Sequence, residues 1–334
     1  RIPIWAGALI AYAVVLVYVF KSGVMGVAWT NTMQGVFMLV LAWTLGLYLP
    51  AELYGGVGAM FEQLAERAPE LLTAPGLAAD GTPWSWGGYS SAVAISAIGF
   101  STWPHYFMRI FTARDERTLK QMVVFYPTFG IFLIPILLIG FCGVLRFPGV
   151  EPADTILPTI LTSLDLSPVV IGLFCAGALA ASMSTGDALL HASGSVLVRA
   201  LYRALLRPEL NDAQQTRLIR ILVVVVGAIA YYFAVASDLS LVLMLLLSYG
   251  FIAQIFPLFL ATFFWRRASR AGVLAGLLAG LTVTAICNLV PELQWRDVHP
   301  GLWGLAAHLV VLVGVSLATR PVDSAHAGKF LGTR

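Results

Sequence analysis

The sequence predicts an all-helical polytopic membrane protein with about nine crossings, and three observations carry that expectation. Of the 334 residues, 59% are hydrophobic and 11% charged, against roughly 45–50% and about 25% in a soluble domain. The apolar residues gather into runs of about 20, the length a helix needs to cross a hydrocarbon core about 30 Å thick. These runs lack the period-two alternation of outer-membrane barrel strands, which leaves helices as the way to satisfy the backbone in lipid.

The first two runs, residues 4–20 and 26–49, are separated around Lys21. Residues 50–87 form the one long connection, in which Met60–Leu72 reads as a short amphipathic helix lying on the outer surface. Further runs cover 88–111, 122–146, 168–198, 218–236, 239–264, 271–290 and 301–319. The tail from Pro321 to Arg334 is short and polar and is expected to be disordered.

Orientation follows from charge. All of the 20 basic residues except Arg1, Arg67, Arg146 and Arg296 fall in alternate loops, which places those loops and the C-terminus in the cytoplasm and the membrane as the cell, or inner, membrane. Trp5, Trp84, Trp86, Trp265, Trp295 and Trp303 lie near run ends, as an interfacial belt requires. The net charge of +3 reflects this topology and does not point to nucleic acid. Cys142, Cys175 and Cys287 have no ligand spacing and read as packing residues. Arg1 stands where an initiating Met is expected and leads straight into an apolar run, so the chain reads as a fragment.

Three runs are imperfect. Gly99-Phe100-Ser101-Thr102-Trp103-Pro104-His105 puts a proline and two hydroxyls inside the third. It reads either as a broken helix at a substrate site or as an ordinary proline kink. The fifth carries Ala181-Ser182-Met183-Ser184-Thr185-Gly186-Asp187 and then His191. Residues 181, 184, 185 and 188 share a helical face, and carbonyl and hydroxyl oxygens are the hard ligands a small alkali cation prefers. Small-residue helix packing is the competing account. It leaves Asp187 unexplained, since a carboxylate within a crossing is costly and marks an ion path, a proton relay or a pair, with His191 one turn away. In the seventh run Gln254 precedes Pro257 and either faces a cavity or ties helices together.

Four stretches, in order along the chain, resemble the sodium/solute symporter family, in its proline, pantothenate and monocarboxylate branch. Ser22-Gly23-Val24-Met25-Gly26-Val27-Ala28-Trp29-Thr30-Asn31-Thr32-Met33-Gln34 is similar to the family's small-residue turn and Thr-Asp-x-x-Gln signature. Trp103-Pro104-His105-Tyr106-Phe107-Met108-Arg109 is similar to its Pro-His-x-x-x-Arg run, and Met183-Ser184-Thr185 to its Met-Ser-Thr signature. The last is Pro257 with Phe264-Trp265-Arg266-Arg267 and Ala271-Gly272.

The resemblance implies a leucine-transporter-like fold of two inverted five-helix repeats, with ion and substrate near the midplane. Residues 1–49 then close the first repeat, 50–87 are an extracellular loop, 88–264 form the second repeat, 265–320 hold two appended crossings and 321–334 are a cytoplasmic tail. It implies sodium as coupling ion, held by Ala181, Ser184 and Thr185 and by a partner helix before Arg1. The substrate cavity is expected at Gly99, Ser101, Trp103 and Gln254, with Pro104 and Pro257 as bending points. Asn31 departs from the family's Asp, and with Asp187 and His191 it marks a proton or ion path. The implied activity is symport of a small carboxylate or amino acid without covalent chemistry or other cofactors. Proton coupling through Asp187 and His191, or a sensor without transport, are the rivals; an enzyme lacks a nucleophile here.

Overall fold

The computed structural model describes residues 3–77, 81–110, 113–150, 153–202, 211–236, 240–293 and 297–331. Arg1, Arg203, Arg207, Trp295, Arg296 and Arg334, which entered the expectation for orientation, lie outside them. No strand occurs among the described residues. Among the described residues seven helical stretches are long and apolar enough to cross a membrane: Trp29–Tyr54, Glu116–Arg146, Pro168–Arg199, Asp212–Ala236, Leu241–Phe264, Arg270–Leu289 and Pro300–Ala318. Burial follows a lipid rather than a water solvent. Val310 is 72% exposed and Phe264 79%, while Asp187, Gln254, Thr284, His308 and Ser316 are each 0% exposed.

The helices group into two units, residues 1–68 with 107–238 and residues 69–106 with 239–334. In the first, helix α1 (Ile4–Tyr54) is a single helix of 51 residues. This corrects the expected turn at Ser22–Gly26. Glycine and serine weaken a helix interior by at most about 1 kcal/mol each, and without proline nothing there forces the chain to turn. At 1.5 Å per residue α1 extends roughly 77 Å, more than twice the core of a bilayer. Its segments meet different neighbours. Tyr12 donates to the Val224 carbonyl at 3.0 Å in α9 (Asp212–Ala236), Leu41 and Phe37 flank Gly177 of α8 (Pro168–Val196), and Gly46 lies against Pro135 of α6 (Leu133–Arg146).

After α1 a short amphipathic helix, α2 (Val57–Arg67), buries Met60 and Leu64. It stops short of the expected Leu72 because Pro69 disfavours helical backbone at Ala68, whose φ and ψ are −148° and 58°. Helices α5 (Glu116–Phe125) and α6, joined by a tighter 3₁₀ stretch, make up the fourth run, and α7 (Ile156–Ser163) leads to α8.

The second unit contains α3 (Trp86–Ser101) and the start of α4 (Pro104–Ile110), the two pieces of the third run, separated at Thr102 and Trp103. Neither piece is long enough to span alone. Helix α10 (Leu241–Ile252) passes through a 3₁₀ turn, Ala253–Ile255, into α11 (Phe256–Phe264). Helices α12 (Arg270–Leu289) and α13 (Pro300–Ala318) pack along their whole length through Gly272, Gly276 and Gly280 on one side and Gly304, His308, Leu312 and Ser316 on the other. Both stripes repeat every four residues, the small-residue spacing that lets membrane helices approach closely.

The tail is not disordered throughout: Ser324–Leu331 form α14, which packs on α11. Eight residues are marginal as a free helix. Here the packing, and a Val322 N–H bond to the Ala268 carbonyl at 3.1 Å, hold the segment in place.

Candidate functional site

In the first unit α8 carries the Met-Ser-Thr stretch. Ser184 Oγ donates to the Ala181 carbonyl at 2.9 Å, so two of the three oxygens expected to hold sodium share one spot. Thr185 is exposed and Ser184 half-buried. Across 153 residues of sequence, the Asn31 Nδ2 of α1 donates to the Ser184 carbonyl at 3.1 Å. Asn31 Oδ1 is buried with no hydrogen-bond partner among the described residues. Asp187 is fully buried on the same helix and His191 half-buried one turn on. The structure therefore brings Asn31 to the Met-Ser-Thr helix. An amide suits the contact, because it donates to a carbonyl where an ionised carboxylate can only accept.

In the second unit the break falls where the proline predicts. Thr102 leaves helical geometry at φ −104° and ψ 4°, and Pro104 opens α4. Pro104 lacks an N–H and is tolerated there, at the start of a helix. Thr102 Oγ1 donates across to the Ile252 carbonyl at 3.2 Å and lies 2.9 Å from the Gly99 carbonyl, so the break is stitched to the end of α10. Gly99 leaves room for Tyr249: a Cβ there would sit 2.7 Å from the ring carbon Cδ1. The Trp103 ring meets the same tyrosine edge-on at 5.9 Å. Ser101 is exposed, its hydroxyl returned to the Ile98 carbonyl at 2.7 Å.

Gln254 turns away from that cluster. Its Nε2 reaches the Gly250 carbonyl at 3.1 Å, Thr284 Oγ1 at 3.3 Å and the Gly301 carbonyl at 3.0 Å. Fully buried, the amide ties α10 to α12 and α13. Of the two roles read from the sequence, the structure displays the helix tie. Pro257 stands at the start of α11, just after the 3₁₀ turn.

Sequence reasoning missed Tyr249 as the partner of Gly99 and Trp103, and it missed His308. That imidazole is fully buried beside Gly276 and Gly280, and neither ring nitrogen has a hydrogen-bond partner among the described residues. The signal was present, since His308 sits on the four-residue stripe of α13.

Known proteins resemble this chain in sequence and in fold. The chain is 30% identical to the uncharacterized symporter YhjB of Bacillus subtilis, over 97% of its own length and 67% of that protein's. It is 27% identical to a sodium/proline symporter of Haemophilus influenzae, covering 95% of this chain and 64% of the relative. It is 26% identical to the sodium/pantothenate symporter of the same organism, over 95% and 65%. The chain thus spans about two thirds of the length of these relatives. A solved structure of a sodium-coupled sialic acid symporter, in a substrate-bound outward-open state, superposes with a TM-score of 0.75 over 96% of this chain and 68% of that one, at 17% identity. At that identity the match establishes the fold, the leucine-transporter-like arrangement expected from the motifs. The sodium:solute symporter family model matches residues 2–280, and the chain belongs to that family.

Proposed function

We propose that this chain supplies the greater part of a symporter that couples inward sodium flow to uptake of a small organic solute, a short carboxylate or amino acid. The observation that carries the reading is the meeting of two motifs far apart in sequence. Asn31 holds the Ser184 carbonyl at 3.1 Å while Ser184 Oγ and the Ala181 carbonyl lie 2.9 Å apart. Together with Thr185 these oxygens form a hard donor set for sodium as the transported ion.

In this reading residues 88–264 form the second inverted repeat, 1–49 the end of the first, and 265–320 two appended crossings, with 50–87 outside and the C-terminal tail in the cytoplasm of a cell carrying the protein in its inner membrane. The solute binds near the broken third run, at Gly99, Ser101 and Trp103, with Pro104 and Pro257 as hinges. Coupling arises because each ligand raises the other's affinity by the same factor. Alternating access follows from rocking of helix bundles. No covalent step is involved.

A second reading keeps the fold and moves coupling to Asp187 and His191. It is favoured by the complete burial of Asp187 within a crossing. Proteoliposomes holding the complete protein separate the two. Under a sodium gradient, uptake of labelled proline, pantothenate, acetate or pyruvate is expected to fall at least about 100-fold in Ser184→Ala/Thr185→Ala, as loss of two ion ligands implies. Sodium-dependent uptake unchanged in that variant would sink the ion-site assignment, and uptake driven by a proton gradient alone would favour the second reading.

A further inference from the structure

We propose that the cavity at the start of α12 and just beyond the end of α13 holds the phosphodiester of an anionic membrane phospholipid. The cavity, about 620 Å³, is lined by Arg270, Thr319, Arg320, Val322, Asp323 and His326 together with Ala271 and Pro321. Arg267, three residues before Arg270, shows by contrast what a satisfied guanidinium looks like here. Its Nη1 donates to the Ser316 and Thr319 carbonyls at 2.8 and 2.9 Å and its Nη2 to the Leu317 carbonyl at 3.0 Å, closing the C-terminus of α13. Arg270 and Arg320 have no hydrogen bond or ion pair among the described residues, not even with Asp323 in the same cavity.

The walls are fixed rather than adventitious. Ser269 Oγ caps α12 by accepting from the Gly272 N–H at 2.9 Å and lies 2.6 Å from Thr319 Oγ1. Val322 is tied to Ala268, and α14 packs on α11 behind it. Two cationic forks therefore face a preformed concavity at the helix N-terminus of α12, where the dipole also favours an anion.

The occupant follows from what lies along the same helices. Arg270, Leu274 and Leu278 share one face of α12 at four-residue spacing, and the two leucines are 61% and 64% exposed. On α13, Val310, Val313 and Leu317 are 72%, 41% and 59% exposed and lead to Arg320. Each stripe is an apolar track headed by a guanidinium. That is the order of a phospholipid, with acyl chains along the tracks and phosphate at the head, and a free inorganic anion has no use for the tracks. The position at the end of two crossings, on the side rich in Arg and Lys, is where anionic headgroups concentrate.

The test uses the full chain purified in detergent, with lipid retention followed by native mass spectrometry, so it needs no transport and stands apart from the coupling-ion question. Phosphatidylglycerol is expected to bind in preference to phosphatidylcholine. Arg270→Gln/Arg320→Gln should weaken phosphatidylglycerol binding about 30-fold, and Asp323→Asn should tighten it about fivefold. Arg114→Gln/Arg117→Gln, which removes the same charge elsewhere, should leave it unchanged. The proposal is overturned if the Arg270/Arg320 variant binds like that control, if Asp323→Asn fails to tighten binding, or if inorganic phosphate displaces the lipid at equal concentration.

Discussion

The α12–α13 seam and the Met-Ser-Thr face of α8 are built from the same small and hydroxyl-bearing residues, and they use them in opposite ways. In the seam Thr284 and Ser316 are fully buried and a Cβ at Gly276 would meet His308 Cδ2 at 2.7 Å. On α8 Ala181 and Thr185 are exposed and nothing lies within 4 Å of a Cβ at Gly186. Small residues alone thus do not distinguish a helix contact from a ligand face. The neighbours of the glycines do.

The largest expected effect that separates the regions is Gly280→Val. A Cβ there meets Gln254 Oε1, His308 Cβ at 2.9 Å and the Gly304 carbonyl at 3.1 Å. Overpacking of a tight contact costs about 3 kcal/mol. Gly186→Ala, by contrast, should stabilise by up to about 1 kcal/mol, since alanine is the better helix former and the space is open. Thermal unfolding of the two variants checks both; equal losses would erase the distinction.

A smaller effect concerns the Asn31 contact on which the proposed ion site rests. Asn31→Asp puts a carboxylate where an amide donates to the Ser184 carbonyl, at a cost of about 1–2 kcal/mol while ionised. The sodium concentration for half-maximal uptake by the complete protein should rise about tenfold at pH 8 and less at acidic pH. No change would show that the contact does not support the ion.

The smallest effect lies at the other end of α13. His299 Nδ1 accepts from the Gly301 N–H at 3.1 Å, capping the helix, and the His299 backbone N–H donates to Ser91 Oγ at 2.9 Å. Burial pushes the imidazole pKa below its usual 6.5, against a hydrogen bond to the Leu246 backbone that raises it. With a folded pKa below the unfolded one, the contribution of this cap is complete above pH 6.5 and is lost as pH falls through the lower folded value. Melting temperature measured across that range should drop on the acidic side, and His299→Asn, a cap that does not titrate, should flatten the drop.

What could be read from sequence was what local chemistry dictates. Run length and composition located the seven long spans, and the missing N–H of proline marked both the interruption before Pro104 and the 3₁₀ turn before Pro257. Residues 22–26 misled because glycine permits a turn without imposing one, and α1 continues through them. Gln254 could not be assigned because its three acceptors belong to α10, α12 and α13, and only the folded chain brings them together. The Asn31 bond to Ser184 likewise spans 153 residues, a distance over which no motif spacing carries information.

The clasp formed by Arg267 also bears on how the chain is made. Its acceptors at residues 316–319 are synthesised about 50 residues after it, and Gln254 waits for Gly301 in the same way. Until α13 arrives, that amide has the Gly250 carbonyl and Thr284 Oγ1 but lacks its third acceptor, the Gly301 carbonyl, in hydrocarbon. Insertion is therefore expected to proceed by the hairpin, with α12 retained beside the translocation machinery until α13 emerges and the guanidinium closes over its end.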